Sequence, residues 1–185
     1  MKKQTTILLA AVALASTSFA GTAVVSSNEY KQTTNTTSYF QDQEVAVDLF
    51  YSHNDAMNNG GRHGYFHDRS GGGAGLSYFF ARYFGVGVDA NWFAGGPDNA
   101  VLHQLTGNLI LRYPIEMCSF GLAPYIFGGG GEILDGKHTS IADAGVGAEI
   151  RLTPHFGIFG DWRYNFTSND RRDLGTTRAG IRFAF

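Results

Sequence analysis

Between Phe84 and Ala94 the chain alternates. Phe84, Val86, Val88, Ala90, Trp92 and Ala94 fall on one side, and Gly85, Gly87, Asp89, Asn91 and Phe93 on the other. A period of two means an extended strand with two unlike faces. Eight stretches carry this pattern: Val45–His53, Asp68–Phe80, Phe84–Ala94, Val101–Tyr113, Leu122–Ile133, Asp143–Leu152, Phe156–Thr167 and Gly175–Phe185. Gly, Pro, Asn and Asp clusters separate them, and a helical period is convincing nowhere. The expected class is therefore all-β.

The connections alternate too. "ARY", "PIEMCSFG" and "TPH" follow the second, fourth and sixth stretches and are mostly tight. Asn54–His67, Gly95–Ala100, Leu134–Ala142 and Ser168–Leu174 follow the odd ones; they are polar and generally longer. Short turns at one end and longer loops at the other describe an up-and-down meander of eight antiparallel strands, with both chain ends on the short-turn side.

Volume decides which face is inside. Eight strands enclose a space just wide enough for side chains to fill. The apolar face, with Trp92, Trp162 and several Phe, is too bulky for it. The polar face intersperses charges with Gly71, Gly73, Gly75, Gly85, Gly87, Gly128, Gly130, Gly145, Gly147, Gly157 and Gly180. A narrow filled lumen with the apolar face turned to lipid is expected. Two aromatic bands agree with two bilayer interfaces: Phe80, Tyr83, Phe84, Tyr113, Phe120, Tyr125, Phe156, Phe183 and Phe185 at the short turns, and Tyr51, Trp92, Trp162, Tyr164 and Phe166 at the loops. Only 16% of residues are charged, against about 25% in ordinary soluble domains. The formal charge of −2 gives no polybasic surface for nucleic acid.

The N-terminus carries an export pattern. Lys2 and Lys3 precede the apolar run Ile7–Ala15, too short to span a bilayer, and Ser18–Ala20 places small residues at a cleavage site. Residues 1–20 are expected to be a signal peptide, 21–43 a polar flexible periplasmic lead-in, and 44–185 the barrel.

Taken together, the eight strands, the export signal and the terminal "IRFAF" resemble the small bacterial outer-membrane β-barrel proteins: the OmpA-type transmembrane domain, OmpX and the opacity-like barrels. "GGGAGLSYFFARYFGVGVDANWF" and "GAEIRLTPHFGIFGDWRYNF" look like their hairpins. The resemblance implies a location in the outer membrane among lipid and lipopolysaccharide. It implies that Phe185, with Ile181 and Phe183 on the same face, is an assembly signal read by the barrel-assembly machinery. The OmpA type usually continues into a peptidoglycan-binding domain; this chain ends at its eighth strand, so cell-wall anchoring is not expected.

The charges assigned to the lumen are Glu44, Asp48, Asp89, Arg112, Glu132, Asp143, Glu149, Arg151, Asp161, Arg163, Arg178 and Arg182. Closure of the last strand on the first would bring Arg178 and Arg182 to Asp48 and Glu44, with Asp161 on the other side. Isolated charges in a narrow lumen are costly, so a salt-bridge plug is expected rather than an ion path.

No catalytic site, cofactor or metal is expected. His63 and His67 with Asp68 have a metal-like spacing, but on a Gly/Asn-rich loop they read as solvated. His103, His138 and His155 form no cluster, and Cys118 has no partner cysteine. Ser52 and His53 with Asp55 make the one local nucleophile–base–acid grouping, without a Gly-x-Ser-x-Gly motif; "GGGAG" (71–75) lacks the Lys-Ser/Thr of a phosphate loop. The expected protein is a monomer with a structural or surface-interaction role, using Asn54–His67 and Ser168–Leu174 as its recognition surface. The alternatives are a lipid-modifying enzyme and, less favoured, a small pore.

Overall fold

The computed structural model describes residues 38–56, 69–94, 102–134, 138–167 and 173–185. The signal-peptide segment, most of the lead-in, His63, His67 and Asp68 lie outside these residues. The strands are β1 (Glu44–Ala56), β2 (Arg69–Ala81), β3 (Phe84–Ala94), β4 (Leu102–Arg112), β5 (Ile115–Glu116), β6 (Gly121–Leu134), β7 (His138–Thr153), β8 (Phe156–Thr167) and β9 (Leu174–Ala184). β5 is a two-residue strand in the turn before β6, with which it pairs. The eight long strands pair antiparallel with their sequence neighbours, β4 joins β6, and β9 returns to β1. The result is a closed up-and-down barrel. Closure pairs both flanks of every long strand and so leaves no open edge.

Polarity is inverted relative to a soluble barrel. Val47, Leu49, Leu76, Val88, Leu105, Leu109, Ile126 and Val146 are exposed on the outer wall, while Asp48, Asn91, Gln104, Glu149 and Arg151 are buried inside. An apolar outer surface of this extent marks contact with an apolar medium. Aromatic contacts gather at both ends of the wall. Phe80 stacks on Phe84 with ring centroids 5.9 Å apart and Phe156 meets Phe183 at 5.5 Å, while Tyr164 packs on Phe166 at 4.6 Å near the opposite rim.

One strand runs with its faces exchanged relative to the sequence expectation. In β6, Tyr125, Phe127 and Ile133 are buried inside, and Glu132 is exposed on the outer wall. Gly129 and Gly131, not Gly128 and Gly130, fall on the inward register. The reason is lack of contrast: residues 122–127 are apolar on both faces and 128–131 are all glycine, so Glu132 is the one charged residue of the strand. The connection expected over Leu134–Ala142 is also shorter. β7 begins at His138, which pairs with Leu134.

Both mouths of the lumen are filled. At the loop end Phe93, Ile133, Ile141 and Leu174 form one buried apolar cluster, which is why the hairpin arm through Ile141 stays strand. At the short-turn end the last residues before β1 enter the barrel. Phe40 is 1% exposed. The Arg151 guanidinium donates to the Tyr39 carbonyl at 3.3 Å, the Arg82 amide to Asp42 at 2.7 Å, and the Gln41 amide to Glu44 at 3.3 Å. Ser38 adds a hydrogen bond to Glu116. Gln43, in the left-handed region at φ 58°, turns the chain from this insertion into β1. Gly121 leaves the room: a Cβ there would lie 2.6 Å from the Phe40 ring.

Candidate functional site

The lumen holds two ion-pair groups, built from alternate positions of β1, β3, β4, β6, β7, β8 and β9, with the Phe159 ring under an arginine of each. Near the short-turn end, Glu44 Oε1 accepts from Arg112 Nη1 at 2.9 Å and from Arg151 Nη2 at 3.0 Å. Arg151 Nε donates to Glu149, two residues earlier on the same face, at 2.6 Å. Arg182 then joins Glu149 (Nη1 to Oε2, 2.7 Å) to Asp48, which it grips with two bonds of 2.7 Å. In the upper lumen Arg178 holds Asp161 through Nε and Nη2 at 2.8 and 2.7 Å, and its Nη1 lies 3.0 Å from Asp89. Arg163 reaches Asp89, Asp143 and Thr106 at 2.8, 2.8 and 3.0 Å. The Tyr125 hydroxyl donates to Asp161 at 2.9 Å.

Each of these five guanidinium groups also lies over an aromatic face. Arg112 is 3.6 Å from the Phe79 centroid, and Arg112 and Arg151 approach the Phe40 ring from 5.0 and 4.9 Å. Arg163 lies over Phe127 at 4.9 Å, Arg178 over Phe50 at 4.7 Å, and Arg182 over Phe159 at 5.0 Å. A planar cation with five donors suits this double role, edge to carboxylate and face to ring. Lumen glycines give the rings their space: a Cβ on Gly147 would sit 2.6 Å from Tyr125.

The sequence expectation thus meets the geometry unevenly. Glu44, Asp48, Asp89, Arg112, Asp143, Glu149, Arg151, Asp161, Arg163, Arg178 and Arg182 converge inside, and Glu132 stands apart on the outer wall. The aromatic partners Phe40, Phe50, Phe79, Tyr125 and Phe127 were not singled out as lumen groups. Ile181, Phe183 and Phe185 do share the outward face, Phe185 being 75% exposed. Ser52 is buried in the lumen while His53 and Asp55 turn outward, so that trio does not assemble. Among the described residues no group of three metal-ligating side chains is present.

The network packs the lumen with mutually bonded side chains. A lumen cavity of about 20 Å³ lies among Asp48, Asp89, Asn108, Tyr125 and Arg178, room for about one water. Asn108 Oδ1 has no protein hydrogen-bond partner, which such a water would satisfy.

No protein-family model matches the chain, and no curated protein matches it in sequence. Solved structures do. The N-terminal β-barrel domain of Pseudomonas aeruginosa OprF is 17% identical, covering 78% of this chain and 99% of that one, with a TM-score of 0.57. Ail, the attachment invasion locus protein of Yersinia pestis, solved with the heparin analogue sucrose octasulfate, is 15% identical over 78% and 99%, TM-score 0.53. Neisserial surface protein A is 16% identical over 80% and 98%, TM-score 0.51. By closure, strand number and inverted polarity, this chain has the fold of the small eight-stranded outer-membrane β-barrels.

Proposed function

We propose that this protein resides in the bacterial outer membrane as a monomeric, non-conducting barrel that presents its loops for surface interaction. The observation that carries the reading is the pairing of an apolar outer wall with a lumen closed from rim to rim by ion pairs, Phe40 and the Phe93 cluster. A closed lumen leaves the loops as the candidate recognition surface, and loops on a rigid scaffold commonly carry recognition. The name of Ail, an attachment protein on the same fold, supports an adhesion-like role. Outer-membrane lipid and lipopolysaccharide surround the wall, and the barrel-assembly machinery reads Ile181, Phe183 and Phe185 during biogenesis.

The test has three parts. The protein fractionates with outer membranes and migrates differently in boiled and unboiled samples. Planar bilayers containing it show no discrete conductance steps. Deletion of residues 57–67 lowers binding of whole cells to host-cell or polysaccharide surfaces. Steady channels, or surface binding unchanged in every loop deletion, would overturn the reading.

A further inference from the structure

Going beyond that role, the outer wall brings Ser70 against a local group, Tyr51, His53 and Asp55, from which the sequence separates it. His53 lies on β1 directly opposite Ser70 on β2. Its Nδ1 is 3.0 Å from Ser70 Oγ, and its Nε2 is 3.1 Å from Asp55 Oδ1. The Tyr51 hydroxyl donates to the same Ser70 Oγ at 2.7 Å. With a neutral imidazole the contacts give one consistent set of proton positions. A carboxylate accepts only, so Nε2 carries the hydrogen and Nδ1 is the free acceptor. Ser70 therefore donates its hydroxyl proton to His53. That is the resting order of a serine nucleophile, its base and an orienting acid, recognised by geometry rather than by chain order.

The surroundings select the substrate. All these side chains lie on the wall, not in the lumen, at the loop-end termini of β1 and β2. They stand beside the loop-end aromatic band, which includes Tyr51 and marks the headgroup level. Ester linkages of membrane lipids lie at that depth. Below Ser70 on the same face of β2 come Gly72 and Ala74, flanked on β3 by Trp92 and Ala90. A Cβ at Gly72 would meet no side chain within 4 Å. A shallow trough thus runs from Ser70 down the hydrocarbon-facing wall, with Tyr51 on one side and Trp92 on the other.

We propose that Ser70, His53 and Asp55 form a hydrolytic site for fatty acyl esters of membrane lipids. Ser70 Oγ attacks the ester carbonyl carbon as His53 Nδ1 takes its proton, and the Tyr51 hydroxyl, released from Ser70 Oγ, is a donor for the oxygen that becomes negative. The carbon–oxygen bond to the alcohol breaks, and His53 returns the proton to the departing alkoxide. Water, deprotonated by His53, then attacks the acyl-Ser70 ester, releasing the fatty acid and restoring the serine. Asp55 holds the imidazole in the required tautomer and balances its charge while it is protonated.

The experiment uses the full mature chain refolded into vesicles, with boiled and unboiled gel migration confirming the folded form of each variant. A fluorophosphonate probe is expected to label folded wild type at Ser70, mapped by peptide mass spectrometry, and not Ser70→Ala. Hydrolysis of p-nitrophenyl palmitate is expected to fall at least ~100-fold in His53→Gln and to zero in Ser70→Ala, and to stay unchanged in the lumen variant Ser52→Ala. Two lipid arms identify the ester: diacyl phosphatidylethanolamine vesicles, and the same vesicles carrying lipid A, each assayed for released fatty acid. Release in either arm supports the site and names its source. Absence of a Ser70 adduct on folded protein, equal hydrolysis by folded Ser70→Ala, or no fatty acid from either lipid overturns it.

Discussion

Arg182 and Asp48 face each other across the seam where the last strand meets the first, joined by two parallel hydrogen bonds of 2.7 Å. The register pairs these two residues directly, so the ion pair and the backbone ladder specify the same closure. Removing one partner strands a buried charge, which costs about 3–5 kcal/mol. Arg182→Met is therefore expected to lower unfolding stability by that amount, read from urea titrations of Trp92 and Trp162 fluorescence in vesicles. Asp48→Leu combined with Arg182→Met is expected to cost less than the sum of the two single changes; simple additivity would deny the coupling.

Phe40 fills the short-turn mouth against Gly121. Phe40→Ala is expected to cost about 3 kcal/mol, within the usual range for a buried phenylalanine. Gly121→Ala pushes a methyl group into the same ring and destabilises the wild type by about 1–3 kcal/mol. In the Phe40→Ala background that second cost should shrink, leaving only the contact with the Tyr39 Cβ at 2.7 Å. Equal effects of Gly121→Ala in both backgrounds would show that the ring does not occupy this mouth.

Tyr125 and Tyr113 discriminate the facing of β6. Tyr125 donates to buried Asp161, so Tyr125→Phe removes one hydrogen bond to a charged group that Arg178 still holds, and costs about 1.5–3 kcal/mol. Tyr113 is exposed, and Tyr113→Phe is expected to change stability by less than about 0.5 kcal/mol. The same urea titration reads both, and a reversed ranking would return β6 to the opposite facing.

Most of the architecture was legible because the alternation is strong where it matters. β3 and β8 have the bounds their sequence pattern predicts, since polar and apolar residues contrast at nearly every step. β6 was misread in facing because its contrast fails: Leu122 to Phe127 offer apolar groups to both sides. The hairpin arm of β7 reads as loop in the sequence because His138, Thr139 and Ser140 are polar, although Ile141 is buried in one cluster with Phe93. Convergence of the charges followed from strand facing and closure. The rings beneath the guanidinium groups did not, because aromatics belong equally well to a lipid-facing wall. Ser70 was invisible as His53's partner because cross-strand register, not local spacing, brings them together.

Phe185 is exposed, yet its backbone is bonded both ways to Val45, at 3.1 and 2.9 Å. Phe185→Ala is expected to leave the folded barrel's stability within about 0.5 kcal/mol while lowering the amount assembled in the outer membrane of living cells. Pulse-chase measurement of the heat-modifiable form checks this; unchanged assembly would leave the terminal ring no part in biogenesis.

The seat of Phe40 is assembled from Arg112 on β4, Gly121 on β6 and Arg151 on β7. These three strands adjoin one another on the side of the barrel opposite β1, so the segment ahead of β1 must cross the mouth to reach its seat, and only a wall curled shut brings the two sides face to face. The lead-in therefore docks last, when the wall is complete, and its docking keeps a chemical record that the ring of strands has shut. Protection of the 38–43 segment from added protease should appear together with the heat-modifiable form, and protection appearing earlier would place docking before closure. In time rather than in space, the six residues ahead of β1 are the end of this protein.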